Sequence, residues 1–422
     1  MLFKKTVLKN GLTVITVPMK DNPSVTCLVT VKTGSKYETK DINGLSHFLE
    51  HMCFKGTTNR PRPIDIALEL DNIGAQNNAF TGQEYTGYYA KAHLKHTDII
   101  LDVVSDMYNN PIFDSKEIEK ERGVIIEEIN MYEDMPHVKV YYVFLELLYG
   151  DQPAGWDILG PKENIARITQ KDFLKYRAKH YVASATTVIV SGNIDESKII
   201  NQIKKLFHNI STDGKTDKIK VVENQIKPSI KLRHKETDQT HLIIGVRTFG
   251  AKDKRHIILK VLNSLLGGGM SSRMFRKLRE QMGSCYYVNT DSDKFTDHGY
   301  LYISAGINIK RIEEVVTAIL SELNKIKNED ISTEELQKAK DYLAGHIYLG
   351  LESSDSLGLY YAFQDILGED IKNPDGLIKN IQEVTAKEIQ DLAKEIFIDK
   401  GLNMAIVGNI KDLQSLGKIF HF

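Results

Sequence analysis

Residues 164–194, "NIARITQKDFLKYRAKHYVASATTVIVSGNI", return as residues 380–410, "NIQEVTAKEIQDLAKEIFIDKGLNMAIVGNI", without a gap and at an offset of 216 positions. Each copy opens on Asn-Ile, starts an amphipathic helix at a Thr, turns, and ends in an apolar strand closed by Gly-Asn-Ile. One shared Gly-Asn carries little weight, but a whole helix–turn–strand register argues for duplication. The offset is about half of the 422-residue chain, so two lobes of roughly 200 residues are expected. The polar stretch "STDGKTDKIKVVENQIKP", residues 211–228, carries a Gly and a Pro and suits a surface linker. An N-terminal lobe at 1–210 and a C-terminal lobe at 229–422 follow. Strand-like runs at 24–31, 187–191, 240–246 and 404–407 cluster rather than alternate strictly with helices. The expected class is α+β: two homologous lobes, each a mostly antiparallel sheet packed with helices, and not a doubly wound sheet.

The apolar and charged fractions, 41% and 26%, are those of a soluble globular protein. A formal net charge of -1 and the lack of a basic, aromatic-interleaved run argue against a nucleic-acid partner. No apolar run approaches the roughly 20 residues of a membrane span. The first residues, "MLFKKTVLKNGLTVITV", lack the apolar core and cleavage site of a secretory signal. They read as a hairpin turning at Asn10-Gly11. Cys27, Cys53 and Cys285 are scattered singly, which fits a reducing compartment, and the cytoplasm is expected.

Residues 45–56, "LSHFLEHMCFKG", hold two histidines and a glutamate within five positions. At about 100° per residue, Leu45, Phe48, Leu49 and Met52 make one apolar stripe. His47, Glu50 and His51 then share the opposite face. Imidazoles at i and i+4 can grip one zinc ion, and a carboxylate beside them can act as general base. The competing reading is a solvated polar face with incidental histidines. Cys53 points elsewhere on this helix and reads as a core thiol.

Two histidines leave a catalytic zinc one protein ligand short. The candidate source is "SKEIEKERGVIIEEINMYED", residues 115–134, a strong helical pattern with Ser115 as its cap. Among Glu119, Glu121, Glu127 and Glu128, the pair Glu121 and Glu128 lies two turns apart on one face. Glu127 is turned about 100° from Glu128. Spacing alone does not separate the 121/128 pair from solvated glutamates.

His47-Phe48-Leu49-Glu50-His51, followed after 76 residues by Glu128, resembles the inverted zinc motif of the pitrilysin/insulinase family of metallopeptidases, the inverzincins. "GAQNNAFTGQEYTGYYA" resembles that family's substrate-binding edge strand, and "ERGVIIEEINMYED" the helix carrying its last ligand. "LLGGGMSSRMFRKLREQMGSCYYV" is similar to its glycine-rich segment with an Arg and a Tyr seven apart. The resemblance covers essentially the whole chain, and the length fits the short, two-lobed, processing-peptidase-like members.

The resemblance implies His47, His51 and Glu128 as ligands of one Zn2+ per chain, Glu50 as general base, and Glu121 as a carboxylate orienting a ligand. It implies Arg279 and Tyr286 as groups facing the developing oxyanion. Without it they read as a surface Arg and a strand Tyr. Tyr286 and Tyr287 point to opposite strand faces, so only one can serve, and the seven-residue spacing picks Tyr286. Asn78, Ala79 and Phe80 match the family's peptide-binding edge, in a hairpin turning at Thr81-Gly82-Gln83. The Gly267-Gly268-Gly269 run lacks the Gly-Lys-Ser/Thr ending of a nucleotide site. It reads equally as a loop close to bound peptide or as a tight turn.

The function implied is a zinc metalloendopeptidase acting on short or unfolded peptides in a closed chamber. A homodimer sharing its active sites between chains is expected, by comparison with four-lobed relatives. The rival readings are a non-catalytic processing-peptidase-like or respiratory-complex core-like subunit, and a metal hydrolase acting on small molecules.

Overall fold

The computed structural model describes residues 3–422. In the first half, β1 (Lys4–Val7), β2 (Thr13–Pro18), β3 (Ser24–Val31), β4 (Gln76–Thr81), β5 (Thr86–His93) and β6 (Thr186–Gly192) form one sheet, ordered β1-β2-β6-β3-β5-β4. In the second, β7 (Ser229–His234), β8 (Thr240–Thr248), β9 (Cys285–Lys294), β10 (Gly299–Ile307) and β11 (Leu402–Gly408) are ordered β7-β11-β8-β10-β9. With β1 set aside, the two orders coincide strand for strand. So do the directions: β2 with β6 and β7 with β11 are parallel, and every other pair is antiparallel. The fold is α+β with two mostly antiparallel sheets.

β6 and β11, the strands inside the repeated stretch, are buried along their whole length. Both of their faces are covered, so they read as unbroken apolar runs rather than alternating ones. The first hairpin turns at Leu8–Leu12, where Leu8 N–H donates to the Leu12 carbonyl at 2.8 Å and Gly11 takes φ +92°. A left-handed residue there favours glycine.

The chain forms two compact units, and they are not the contiguous halves 1–210 and 229–422. The first unit runs to Asn130 and adds Trp156–Ile219 and Leu349–Asn373. The second comprises Met131–Gly155, Lys220–Tyr348 and Pro374–Phe422. The expected 211–228 boundary contains the 219/220 junction, but two helices cross it. Within the first unit, the helix Ser354–Ile366 packs on β3 and β6. There Asp365 accepts from Thr187 Oγ1 at 2.8 Å and pairs with Lys32 at 3.0 Å, while Ser354 bonds Thr26 at 2.8 Å. Within the second unit, the helix Pro136–Tyr149 packs on β7, β8 and β11. Its Val140, Val143, Phe144 and Leu148 join Ile243, Tyr300, Ala405 and Val407 in one apolar cluster. An apolar helix face must be buried, but its periodicity does not say against which sheet.

Candidate metal centre

Gly44 starts the motif helix, Leu45–Met52, at φ +100°. A Cβ there would lie 2.5 Å from the Leu159 carbonyl oxygen, so the close approach requires glycine. The first turn is capped by Glu38, whose buried carboxyl accepts from Gly44 N–H at 2.9 Å and Ser46 N–H at 2.6 Å. Burial pushes that carboxyl up to about 7 against these bonds. Leu45, Phe48, Leu49 and Met52 are fully buried, and this stripe turns His47, Glu50 and His51 to the opposite face. Cys53 is also buried, with its thiol 3.4 Å from the Tyr88 hydroxyl.

The helix Ser115–Glu133 supplies the carboxylates. Its cap is Asp114, not Ser115: Asp114 Oδ1 accepts from Lys116 N–H at 2.9 Å and Glu117 N–H at 3.2 Å. Ser115 is already helical. Ile118, Ile125 and Ile129 anchor the buried face, which carries Glu121 with it and leaves Glu128 half-buried. Glu127 is exposed, and Glu119 pairs with Arg122 at 2.8 Å.

His47 Nε2 and His51 Nε2 each lie 3.7 Å from the same oxygen, Glu128 Oε2. One potential ligand atom from each of the three residues falls within 4.8 Å of the others. Behind them, His51 Nδ1 lies 2.8 Å from Glu121 Oε1, and Lys55 Nζ lies 2.6 Å from Glu121 Oε2. A histidine that donates through Nδ1 keeps its Nε2 lone pair free for a metal. Glu50 accepts from the Thr81 hydroxyl at 2.5 Å through Oε2.

Burial, with His51 beside it, holds His47 down to about 3, so its imidazole is neutral. Burial would also lower His51, but Glu121, Glu50 and Glu128 outweigh it and raise its value. Burial raises the Glu50 and Glu128 carboxyls above their ordinary range. Burial works the same way on Glu121, yet His51 and Lys55 outweigh it and leave that carboxyl lowered. Three carboxylates thus face two imidazoles and one lysine, an excess of negative charge that a dication would balance. Two imidazole nitrogens and one carboxylate oxygen are a donor set suited to zinc with an open fourth position.

β4 is the outer strand of its sheet and, among the described residues, pairs only with β5. Asn78 is exposed, while Ala79 and Phe80 are half-buried. β4 extends through Thr81, and the turn is Gly82–Tyr85 rather than Thr81–Gln83, closed by Gly82 N–H to the Tyr85 carbonyl at 2.8 Å.

In the second unit, Arg279 lies on a π-helical segment, Phe275–Gln281, and donates through Nη1 to the Cys285 carbonyl at 2.7 Å. Its guanidinium carbon sits 5.8 Å from the Tyr286 ring centre. Ile307 pairs with Cys285 and Gly306 with Tyr287, so Tyr286 is the extra residue of a β-bulge. Simple alternation across β9 therefore fails at this position. The bulge aims Tyr286 outward, 74% exposed. Added Cβ atoms at Gly267, Gly268 and Gly269 would meet Thr290, Ser264 and Tyr342 within 3 Å, as expected of a tightly packed turn.

Sequence reasoning missed Thr81 and Lys55 as partners of the cluster. Both lie in quoted stretches, but neither contact has a periodic signature.

The profile described as "Insulinase (Peptidase family M16)" matches residues 13–162, and "Peptidase M16 inactive domain" matches residues 167–343. The chain is 34% identical over 401 residues to the uncharacterized zinc protease YmxG of Bacillus subtilis, covering 94% of this chain and 96% of that one. It is also 34% identical over 400 residues to an uncharacterized zinc protease of Rickettsia felis, covering 94% and 95%. Among solved structures, a protease from Helicobacter pylori superposes with TM-score 0.88 at 24% identity, covering 96% of this chain and 99% of that one. A peptidase M16 inactive domain from Pseudomonas fluorescens gives TM-score 0.90 at 16% identity, covering 97% and 99%. At these identities the two structures speak for the fold.

Proposed function

This chain belongs to the insulinase family, peptidase family M16, and from that premise we propose that it is a zinc-dependent endopeptidase acting on short or unfolded peptides. The observation that carries the reading is the convergence of His47, His51 and Glu128, with Glu50 on the same helix face. These three residues would hold zinc, one ion per chain, and Glu121 would orient His51. Zinc, when bound, supplies a Lewis acid for the scissile carbonyl and lowers the pKa of water toward about 7.

Glu50 accepts the proton of the attacking water at Oε1, since Oε2 is engaged by Thr81, and returns it to the leaving amine. Arg279 and Tyr286 donate toward the carbonyl oxygen as charge develops there. Asn78, Ala79 and Phe80 offer the free edge of β4 to an extended peptide. Main-chain pairing is largely indifferent to side chains, so unfolded substrates suit it. Two copies of the chain would enclose a chamber and share their sites, in the cytoplasm. No helix among the described residues is long and apolar enough to cross a membrane.

The label "inactive" attaches to the profile over residues 167–343, outside the segment holding the cluster. A quenched-peptide assay with zinc analysis, before and after a chelator, tests the reading. The expected result is zinc near one equivalent and hydrolysis that stops on chelation and returns with zinc. Zinc-loaded protein that cleaves no peptide in a mixed library would leave the non-catalytic subunit reading in its place.

A further inference from the structure

We propose that Thr81 is the positioning residue for the Glu50 carboxylate, a role that rests on reading Glu50 as the general base. A glutamate side chain has three rotatable bonds, and helix geometry fixes only where its Cα–Cβ bond points. Something else must hold the carboxylate. Neither His51 nor Glu128 forms a hydrogen bond to Glu50 among the described residues; the Thr81 hydroxyl does, at 2.5 Å.

The post that carries this hydroxyl is itself well held. Thr81 is the last residue of β4 and pairs with Thr86, whose own hydroxyl donates to the Thr33 carbonyl at 3.1 Å. The turn that follows is tied down by Ser35 N–H to the Gly82 carbonyl at 3.3 Å and Lys36 N–H to the Gln83 carbonyl at 2.9 Å. A Cβ on Gly34 would lie 2.1 Å from the Gly82 carbonyl oxygen, so the two segments pack without slack. A β-branched Thr also has few χ1 choices. The donor is therefore preorganised, and it occupies Oε2 while Oε1 carries no hydrogen bond among the described residues.

The placement has a consequence for substrate. Thr81 belongs to the strand whose open edge would pair with the peptide. Strand alternation sends Phe80 toward Phe363, 6.0 Å away between ring centres, and Thr81 to the opposite face, toward the motif helix. The strand that orders the peptide thus also orders the base, and the two are held in one frame.

Thr81→Val removes the hydroxyl at nearly constant shape, and Thr81→Ser keeps it. With zinc-loaded protein, Thr81→Val should lower kcat by about 10-fold or more at unchanged KM and zinc content. Thr81→Ser should stay within a few-fold of the parent. Crystal structures of the metal-free variants give a readout independent of activity: the Glu50 carboxylate should leave its place in Thr81→Val and keep it in Thr81→Ser. If Thr81→Val does not fold, Thr81→Ala carries the same test. A raised KM with unchanged kcat would mean that Thr81 only shapes the strand, and would overturn the inference. Wild-type kcat with an unmoved Glu50, beside an inactive Glu50→Gln, would overturn it while leaving the proposed function standing. A fully active Glu50→Gln would remove the base reading and this inference with it.

Discussion

The two sheets share one strand order, but they differ in what surrounds the equivalent strands. After β3 the chain enters Leu45–Met52, with His47, Glu50 and His51 on its outer face. After β8 it enters His256–Gly267, "HIILKVLNSLLG", in which Leu259, Leu262, Leu265 and Leu266 are buried and no glutamate occurs. The outer strands diverge in the other direction. β4 is regular, whereas β9 carries the bulge that turns out Tyr286 beside Arg279. Inward-facing positions are constrained by packing in both copies, so the framework persists. Outer faces and strand edges are free to change without loss of the core. The two copies of one scaffold carry different side chains at these places for that reason.

If the first sheet carries the reaction, its largest dependence is on Glu50. Glu50→Gln should lower kcat by roughly 10²- to 10⁴-fold while zinc stays bound, because a base is lost but no ligand. Steady-state rates and metal analysis on one preparation check both halves of that statement. An unchanged rate would erase the difference between the two copies.

The second sheet's contribution should be next in size. Arg279→Ala/Tyr286→Phe should cost on the order of 10²- to 10³-fold in kcat, with zinc content untouched. Whether the two contributions meet across chains is a separate matter, settled by mixing this variant with Glu50→Gln. Sites shared between chains predict that activity reappears in the mixed dimer, where one site has both parts intact. Subunits shown to exchange that stay inactive would sink the shared-site arrangement.

A smaller effect separates glutamates on one helix. Glu121→Gln should weaken zinc binding by about 10- to 100-fold through the loss of His51's partner. Glu128→Gln should weaken it further, and Glu127→Gln should leave it near the parent, since Glu127 is exposed. Competition with a chromogenic chelator measures all three. A loss confined to Glu127→Gln would mean that the helix register is wrong.

These residues also show what periodicity can reveal. The grouping of His47, Glu50 and His51 follows from the 3.6-residue helical repeat. The duplication of the lobe follows from the register shared by 164–194 and 380–410, which holds one strand of each sheet and so leaves the strand order unspecified. Glu128 was different, because a glutamate pair seven apart looks the same whether it binds a metal or faces solvent. The resemblance, rather than the spacing, singled it out. The Thr81–Glu50 bond joins two elements that no repeat connects. A bulge breaks the period on which strand reading depends, so the outward turn of Tyr286 was not legible from alternation. The crossing of Pro136–Tyr149 and Ser354–Ile366 was hidden for a similar reason: an amphipathic pattern gives a buried face but no address for it.

The smallest expected effect is one in which the two units behave alike. His180, in the first, lies against Tyr176 and Tyr37, with ring centres 4.5 and 5.6 Å away. His256, in the second, donates through Nε2 to the Gly250 carbonyl at 3.0 Å and stands 4.7 Å from the Phe249 ring. Burial holds both down to about 4, with Lys215 near His180 and Lys294 near His256 adding to it. The unfolded chain protonates histidine near 6.5, above the folded value. Between pH 6.5 and 4 the unfolded state therefore binds more protons than the folded one. The contribution to stability is fully present above about 6.5 and is lost as pH falls toward 4. Urea unfolding of chelator-treated protein at pH 7.5 and 5.0 isolates this from loss of metal. The parent should lose stability between the two pH values, and His180→Gln and His256→Gln should each lose less over the same interval. If only one variant flattens the pH dependence, the two units differ in acid sensitivity. If neither does, both histidines are already open to protonation in the folded protein.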